Sequence, residues 1–281
     1  MSLVNLIKRR LIPLSPRPTR LAKSGHCHPP IKAVLFDIYG TILISASGGI
    51  NKDSGNRVNS VQMTQLLNRY EIHVTPQKLE EDLKTAILAR HDQIKAKGIA
   101  YPEIVIESIW KSLLGWHDKE RIKQFALEYE MTINPIWPMP HLWTVLKNLL
   151  EKNITLGLIS NAQFYTPLLI EAFAGVPFEK LRFDQDLIFF SYQYGQAKPS
   201  SYLFKQAAHH LDVKGITAKD TLYLGNDMIN DILSAGKVGF QTALFAGDSR
   251  SLRLHKDDPN CHGKTADLII TDLIQLLDVI A

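Results

Sequence analysis

The sequence predicts an α/β protein with a doubly wound parallel sheet and an all-helical insertion after the first strand. Two observations predict this fold. Short apolar runs alternate with helical patterns through most of the chain, whereas the interval from about Ser45 to Pro140 carries amphipathic helical patterns. Near-continuous apolar runs bounded by turn residues are typical of strands that helices cover on both faces. The runs are Ala33–Phe36, Thr155–Ile159, Leu187–Phe190, Thr221–Leu224, Thr242–Phe245 and Leu268–Ile270.

The first segment, residues 1–30, is expected to be a flexible basic arm. Residues 1–32 hold seven Lys and Arg residues and no acidic residue. Subtracting those seven from 32 leaves 25 basic residues against 28 acidic ones, so the net charge of +4 comes from the arm. We therefore expect no nucleic-acid-binding face. The arm is also compatible with an organelle transit segment, or with a surface-seeking helix over Leu3–Ile12.

Residues 31–44 and about 141–281 are expected to form the sheet domain, and residues 45–140 a helical cap over the site. A lid of this kind excludes water and contacts the substrate. The cap patterns predict four helices and no strand. A stretch rich in Gly and Ser precedes these helices, and its glycines are candidates for a hinge. The hinge candidates are Gly48, Gly49 and Gly55. The predicted helices are Val58–Tyr70, Pro76–Lys97, Pro102–Leu114 and Lys119–Tyr129.

Bulk composition is typical of a soluble globular protein. The chain has 281 residues, of which 45% are hydrophobic and 21% charged, and these fractions match an ordinary folded domain. No apolar run approaches the roughly 20 residues that a membrane-spanning helix needs. Cys27 and Cys261 are too few for a disulfide framework. A reducing compartment and a cytoplasmic location are therefore expected.

Four short motifs follow predicted strands, and each carries a side chain able to do chemistry. Because active residues of such sheets cluster beyond the carboxyl ends of the strands, we expect the motifs to meet at one site. A carboxylate nucleophile, a hydroxyl, a lysine and acidic metal ligands are the groups that transfer a phosphoryl group through an aspartyl intermediate. The motifs are Phe36-Asp37-Ile38-Tyr39-Gly40-Thr41, Ser160-Asn161, Lys198-Pro199, and Gly225-Asn226-Asp227 with Asp231.

In these motifs the chain resembles the haloacid dehalogenase superfamily, in the subclass whose helical cap lies between the first two motifs. The resemblance covers about Ile31 to Ala281 and implies a Rossmann-like sheet domain. It implies that Asp37 is the nucleophile and also binds Mg²⁺. It further implies that the backbone carbonyl of Tyr39 is a metal ligand, and that Thr41 holds the turn beside the bound phosphate.

The resemblance assigns the other motifs to the phosphate and the metal. Ser160, the N–H of Asn161 and Lys198 would bind the transferring phosphoryl group. The fourth motif would complete the Mg²⁺ site, since one or two carboxylates beside Asp37 suffice for this ion. Its candidate ligands are Asn226, Asp227 and Asp231. Whether Asn226 or Asp227 contacts the metal stays open. Carboxylates at this position would also stabilise the N-terminus of a helix from about Ile229 to Lys237.

Tyr39 departs from the phosphatase pattern, in which a second aspartate two residues after the nucleophile protonates the leaving group. Tyrosine has a reference pKa near 10, so a phosphatase without that aspartate should prefer good leaving groups. The Asp-x-Tyr-Gly-Thr motif also resembles the 2-haloacid dehalogenase branch, in which a halide leaves without a proton. Two features count against that branch. Phe204 stands at the position where the branch has a tyrosine. The branch's Ser-x-Asn-x-x-Asp spacing is also absent, because Asp231 lies five residues after Asn226.

We therefore expect an enzyme: a Mg²⁺-dependent hydrolase of a small phosphorylated molecule, acting through an aspartyl-phosphate intermediate on Asp37. Two alternatives stay open. One is a metal-independent 2-haloacid dehalogenase. The other is a catalytically degenerate family member that binds a phosphorylated ligand without turning it over.

Overall fold

A computed structural model describes residues 2–47 and 60–280 of the chain. The hinge expected at Gly48, Gly49 and Gly55 lies outside these residues. The helices are α1 (Leu3–Lys8), α2 (Ser60–Arg69), α3 (Pro76–Lys95), α4 (Ile106–Leu114), α5 (Lys119–Ile133), α6 (Leu142–Glu151), α7 (Thr166–Ala174), α8 (Ser191–Tyr194), α9 (Tyr202–Val213) and α10 (Ser234–Gly236). The strands are β1 (Ser24–Gly25), β2 (Ala33–Phe36), β3 (Leu43–Ser45), β4 (Ile136–Pro138), β5 (Thr155–Ser160), β6 (Ile188–Phe190), β7 (Thr221–Gly225), β8 (Gln241–Phe245) and β9 (Leu268–Ile270).

The main sheet pairs its strands in the order β1-β9-β8-β7-β2-β5-β6. Its pairings from β9 to β6 are parallel, and β1 joins β9 antiparallel. All six predicted strands are present, which confirms the parallel α/β fold. Strand β2 lies between β5 and β7, so the chain returns to both sides of its first long strand, as in a doubly wound sheet.

Strand β2 is buried on both faces because each face carries its own apolar layer. Val34 and Phe36 belong to one hydrophobic cluster, and Ala33 and Leu35 belong to another. Alternate residues of a strand point to opposite faces of the sheet, so this division places one cluster on each side. The burial of all four side chains explains why the sequence reads as a continuous apolar run rather than an alternating one.

The four helices α2 to α5 form what we call the helical insertion, and their bounds lie close to the predicted ones. They share a hydrophobic cluster that includes Trp110, Phe125 and Tyr129. The expectation that this interval holds no strand is wrong. Ile136–Pro138 pairs antiparallel with Leu43–Ser45, where the chain leaves and re-enters the sheet region. Three-residue strands are too short to show a pattern of alternation.

Residues 2–30 do not form the flexible arm expected from their composition. Leu6 and Ile7 of α1 are buried in the hydrophobic cluster on one face of the sheet, and Ser2 caps the helix. Further along, the Thr19 hydroxyl donates to the carbonyl of Ala246 at 2.7 Å. The arm then supplies β1 to the sheet edge. Its apolar residues are few, but most of them pack against the hydrophobic cluster of the sheet domain.

Arg10 joins the arm to the helical insertion through a fully buried carboxylate. Its guanidinium lies 2.8 Å from Glu128 Oε2, and Arg69 approaches the same oxygen at 2.7 Å. Oε1 accepts hydrogen bonds from the Tyr70 hydroxyl at 2.8 Å and from Gln124 at 3.0 Å. A buried carboxylate is tolerated only when it is paired and hydrogen-bonded, and here the arm provides part of that compensation.

Within residues 2–47 and 60–280, no helix combines the length and apolar character that crossing a membrane requires.

Replacing Arg10 with alanine should reduce the free energy of unfolding by about 1–2 kcal/mol. This is less than the full loss of a buried pair, because Arg69 remains and Arg10 is partly exposed. Urea unfolding of Arg10→Ala measures the effect. Arg9→Ala is the control, since Arg9 is exposed and such substitutions stay within about 0.5 kcal/mol. Equal stability of the two variants would contradict the role of Arg10.

Candidate active site

Three of the four motifs meet because their strands are neighbours in register. Phe36, the last residue of β2, pairs with Leu158 of β5 and with Leu224 of β7. The segments that follow these strands therefore leave the same edge of the sheet. Asp37, Ser160 and Asn226 are all buried there. The remaining motif, Lys198-Pro199, reaches this edge from the loop after α8.

The carboxylate of Asp37 is held on one side and freer on the other. Oδ1 accepts a hydrogen bond from the Ser160 hydroxyl at 2.9 Å and lies 2.6 Å from the Lys198 ammonium. Oδ2 has a long contact, 3.4 Å, with the Thr41 hydroxyl. Asp37 is 6% exposed, so the pairing is in a poorly hydrated environment where charge interactions are strong. The expected partners Ser160, Thr41 and Lys198 are thus brought to this carboxylate.

Lys198 bridges the two buried carboxylates of the site. Its Nζ lies 2.6 Å from Asp37 Oδ1 and 2.6 Å from Asp231 Oδ1. It also donates to the Tyr223 hydroxyl at 3.0 Å and approaches the Ile159 carbonyl at 3.3 Å. Burial lowers the pKa of Lys198, but the carboxylates of Asp231 and Asp37 outweigh it and the net pKa is raised. Lys198 therefore carries its positive charge inside the protein.

Asp231 supports Lys198 and the strand-end turn through both of its carboxylate oxygens, and its expected role as a metal ligand stays a prediction. Its Oδ1 is bound by Lys198 and by the Tyr223 hydroxyl. Its Oδ2 accepts from the backbone N–H groups of Asn226 and Asp227, both at 3.0 Å. A side chain at Gly225 would meet Asp231, because a Cβ there would lie 2.3 Å from Asp231 Cγ. Burial raises the pKa of Asp231, while Lys198 opposes the shift.

Asp227, the other expected metal carboxylate, is turned toward the following helical turn. Its Oδ1 accepts from the N–H groups of Ile229 and Asn230 at 2.8 and 2.9 Å, and lies 2.9 Å from His255 Nε2. Its Oδ2 accepts from the Asn230 side chain. These are the contacts of an N-cap residue. The turn it caps, Met228–Leu233, is π-helical, where the sequence analysis expects an ordinary helix.

Asn226 lies next to the nucleophile through a shared hydroxyl. The Thr41 hydroxyl that contacts Asp37 also donates to Asn226 Oδ1 at 3.0 Å. The amide of Asn226 donates in turn to the Ser251 carbonyl at 2.6 Å. Gly40 takes φ +85° here, and a Cβ on it would lie 2.4 Å from Ser251 Cβ. Only glycine fits the turn that brings Asp37 and Asn226 together.

The donor set at this edge suits a hard cation that keeps most of its water. The Asp37 carboxylate, Asn226 Oδ1 and the expected Tyr39 carbonyl are oxygen donors, the class that Mg²⁺ prefers. In the part of the chain that the structure describes, no group of three or more His, Cys, Asp or Glu side chains is placed to bind a metal ion. The fit to Mg²⁺ therefore depends on one carboxylate with neutral oxygens.

Asn161 acts through its side chain on the Lys198 segment. Its amide donates to the Lys198 carbonyl at 3.1 Å, and its Oδ1 accepts from the Lys198 N–H at 2.7 Å. From the sequence, Asn161 is expected among the phosphate-binding groups through its backbone N–H. The side-chain hydrogen bonds give Asn161 a second role, because they fix the Lys198 backbone relative to the loop that carries Ser160.

A family model described as haloacid dehalogenase-like hydrolase matches residues 31–239. The chain belongs to this family. It is therefore a hydrolase by family, and the matched range includes all four motifs. Residues 240–280 lie beyond the match but continue the same sheet through β8 and β9.

Individual relatives of this haloacid dehalogenase-like hydrolase are distant. The chain is 31% identical over 96 residues to the ribulose-1,5-bisphosphate 5-phosphatase of Halopiger xanaduensis, a match that covers 34% of this chain and 39% of that protein. It thus spans well under half of the curated relative.

Two solved structures share the fold. A HAD phosphatase from Thermococcus onnurineus superimposes with a TM-score of 0.55 at 18% identity, covering 89% of this chain and 98% of that one. A 2-haloacid dehalogenase from Pseudomonas syringae pv. Tomato gives 0.53 at 19% identity, covering 89% and 98%. The fold therefore accommodates both kinds of hydrolase, and the choice between them has to come from the site.

The hydroxyl of Tyr39 is engaged by Thr166 rather than by the nucleophile. The hydroxyl is hydrogen-bonded to the Thr166 hydroxyl at 2.8 Å. Burial raises the pKa of Tyr39 far above its usual value, and the charge of Glu130 adds to the shift. The phenol stays protonated at physiological pH and is engaged with Thr166, so it is not suited to acid–base catalysis. The expected role of its backbone carbonyl as a metal ligand stays a prediction.

Tyr223 is a site residue that the sequence analysis does not identify. Its hydroxyl accepts from the Lys198 ammonium at 3.0 Å, and its single proton can go to the Ile159 carbonyl at 2.9 Å or to Asp231 Oδ1 at 3.0 Å. Burial raises the pKa of this phenol well above its usual value, so it remains a neutral donor. The signal in the sequence is a tyrosine within the aliphatic run of β7, since a buried tyrosine needs a partner for its hydroxyl.

Removing the lysine should destabilise this hydrolase as well as inactivate it. Lys198→Ala leaves two buried carboxylates without their cation, and we expect a loss of about 3–5 kcal/mol in the free energy of unfolding. The double variant Lys198→Ala/Asp231→Asn should lose less than Lys198→Ala alone, because one of the facing charges is gone. Urea unfolding measures both, with the exposed Lys205→Ala as control. Additive losses would refute the charge bridge.

Proposed function

We propose that this protein hydrolyses a small phosphorylated molecule through a covalent phospho-Asp37 intermediate, with Mg²⁺ as cofactor. The observation that carries the proposal is the asymmetric environment of the Asp37 carboxylate. Ser160 and Lys198 fix Oδ1 at 2.9 and 2.6 Å, which orients the group. Oδ2 has a looser environment. A fixed carboxylate with one freer oxygen is what nucleophilic attack requires.

In the proposed first step, Oδ2 of Asp37 attacks the phosphorus. A bond forms between this oxygen and phosphorus, and the bond from phosphorus to the leaving oxygen breaks with its electron pair. Lys198 and the Ser160 hydroxyl stabilise the negative charge of the transferring group. In the second step the oxygen of a water molecule forms a bond to phosphorus, and the bond between phosphorus and Asp37 Oδ2 breaks with its electron pair, which restores the carboxylate. Inorganic phosphate leaves, and the proton lost by the attacking water passes to solvent.

Asp37, Asn226 and the carbonyl of Tyr39 would hold the Mg²⁺ ion. When bound, this ion supplies positive charge that offsets the charge of the phosphoryl oxygens. Asp227 and Asp231 are left out of the proposed ligand set because their oxygens already accept several hydrogen bonds. With Asn226 in place of an acid, the site has one negative charge fewer for the ion, and we expect correspondingly weak metal affinity.

The substrate class follows from family membership and from the named phosphatase relative, which is a partial match. Since Tyr39 offers no proton to the leaving oxygen, the proposed substrates have leaving groups that are stable as anions. Aryl phosphates and acyl phosphates meet this condition. The helical insertion, proposed as a cap domain, would contact the rest of the substrate.

Asp37→Asn should abolish hydrolysis of p-nitrophenyl phosphate in the presence of Mg²⁺, with a fall in kcat of at least about 10³-fold, because the amide is a poor nucleophile. The variant keeps the shape of the side chain, so its unfolding curve serves to show that the fold is intact. Asp220→Asn provides a matched control outside the site, where the carboxylate pairs with Lys32. Retained turnover in Asp37→Asn would exclude the proposed intermediate.

A second candidate function is hydrolysis of a short 2-halo acid, with Asp37 forming a carboxylic ester. Two observations favour it: the neutral Tyr39 and, among the described residues, the lack of a group of three or more His, Cys, Asp or Glu side chains placed to bind a metal. EDTA distinguishes the two, because it should abolish turnover of p-nitrophenyl phosphate and leave turnover of 2-chloropropionate unchanged. Binding of phosphate esters without turnover of either substrate would indicate the non-catalytic alternative.

Two substitutions test the argument from Tyr39. Tyr39→Phe removes only the hydroxyl, so its kcat on p-nitrophenyl phosphate should stay within about threefold of the wild type, since no acid–base group is lost. Tyr39→Asp introduces the missing acid and should raise the rate on an alkyl phosphate relative to the aryl one. A large loss in Tyr39→Phe, in a protein that still folds, would show that the hydroxyl takes part in the reaction.

A further inference from the structure

The helical insertion is attached to the sheet domain at the two loops that hold the partners of Asp37. The attachment is residues 101–106, which we call the docking segment. On one side, the Ala197 N–H donates to the Tyr101 carbonyl at 2.9 Å, and the Glu103 N–H donates to the Gly195 carbonyl at 3.1 Å. These backbone pairs end next to Lys198. The docking segment therefore contacts the chain just before the lysine of the site.

On its other side, the docking segment contacts the loop that begins at Ser160. The side chain of Gln163 donates to the Ile104 carbonyl at 2.9 Å and accepts from the Ile106 N–H at 3.0 Å. It also lies 3.3 Å from Glu103 Oε1. Gln163 is buried and stands three residues after Ser160. Both loops that fix the nucleophile are thus attached to one short segment of the helical insertion.

Glu103 is the side chain that joins these two contacts. Its Oε2 lies 2.6 Å from the Ser191 hydroxyl, and that fully buried hydroxyl accepts from the N–H of Ala162 at 3.0 Å. Its Oε1 accepts from the N–H of Ile104 at 2.9 Å. Burial raises the pKa of Glu103, and the hydrogen bonds from Ser191 and Ile104 oppose the shift. Glu103 is therefore partly buried at the junction, and Ser191 connects its carboxylate to the backbone that follows Ser160.

We infer that Glu103 is a positioning residue: it holds the loop of Ser160 to Gln163 in the geometry that orients the Asp37 carboxylate. The path has few steps. Glu103 orients the Ser191 hydroxyl, Ser191 fixes the backbone two residues beyond Ser160, and Ser160 fixes Asp37 Oδ1. Seating of the helical insertion and orientation of the nucleophile are thereby coupled. The inference rests on the proposed reaction at Asp37.

The test compares Glu103→Ala, Glu103→Gln and Ser191→Ala with the wild type on p-nitrophenyl phosphate with Mg²⁺. Loss of positioning should lower kcat of Glu103→Ala by about 10- to 100-fold, since a small displacement of a reacting group has effects of this size. KM should change much less, because no group that binds substrate is removed. Glu103→Gln keeps one carbonyl oxygen as acceptor and should recover part of the rate.

A matched control is Glu107→Ala. Glu107 lies on the same part of the insertion, its pKa is also raised by burial, and its Oε2 has no hydrogen-bond partner among the described residues. It should keep the wild-type kcat. The double variant Glu103→Ala/Ser191→Ala should lose about as much as either single variant, because the two residues act along one path. A multiplicative loss in kcat would overturn that path.

Hydrogen exchange gives a readout that needs no turnover. In Glu103→Ala the amides of residues 160–163 should exchange at least about tenfold faster than in wild type, since local protection depends on such contacts, while Glu107→Ala should match the wild type. Unchanged exchange in Glu103→Ala overturns the inference whatever the activity. Faster exchange with unchanged kcat overturns it as well. If the wild-type protein hydrolyses no phosphate while Glu103→Ala still shows faster exchange, the proposed phosphatase is refuted. The kcat of Glu103→Ala and of the wild type is then compared on 2-chloropropionate. An unchanged kcat of Glu103→Ala on that substrate overturns the inference.

Discussion

The buried ammonium of Lys198 between the carboxylates of Asp37 and Asp231 is the interaction on which the site depends. Neither carboxylate has enough water to stabilise its charge, and each lies 2.6 Å from the same nitrogen. The desolvation of three charges is costly, so the arrangement persists only because additional hydrogen bonds complete it. Tyr223 and Ser160 supply these from two strands of the sheet, and the strand pairing therefore determines the geometry of the charges.

The same interaction gives Asp231 and Asp37 different roles. Asp231 is saturated by Lys198, Tyr223 and two backbone N–H groups, which makes it a structural support for the end of β7. Asp37 is held through one oxygen, and its second oxygen keeps a looser environment. Two residues of one chemical type thus differ in reactivity because of their partners, a general feature of active-site carboxylates.

The sequence is sufficient to predict the sheet and the meeting of the motifs, because both depend on short-range patterns. The run Ala33–Phe36 is a strand as expected, and a side chain that follows such a strand has to lie at its carboxyl end. What an individual acid does there depends on partners far away in the chain. His255 contacts Asp227 from 28 residues further along the chain, and Arg10 pairs with Glu128 more than a hundred residues on. No local pattern encodes either pairing.

Because strand β1 covers an edge of the sheet, the N-terminal arm affects how the protein behaves in solution. Its two residues, Ser24 and Gly25, pair with Ile269 and Leu268 of β9, which would otherwise be the outermost strand. An uncovered outer strand presents free N–H and C=O groups to other molecules and invites intermolecular pairing. Gly25 sits so close to the Asp267 carbonyl that a Cβ would lie 2.1 Å from its oxygen, so the cover fits tightly. The arm thereby protects the sheet against self-association.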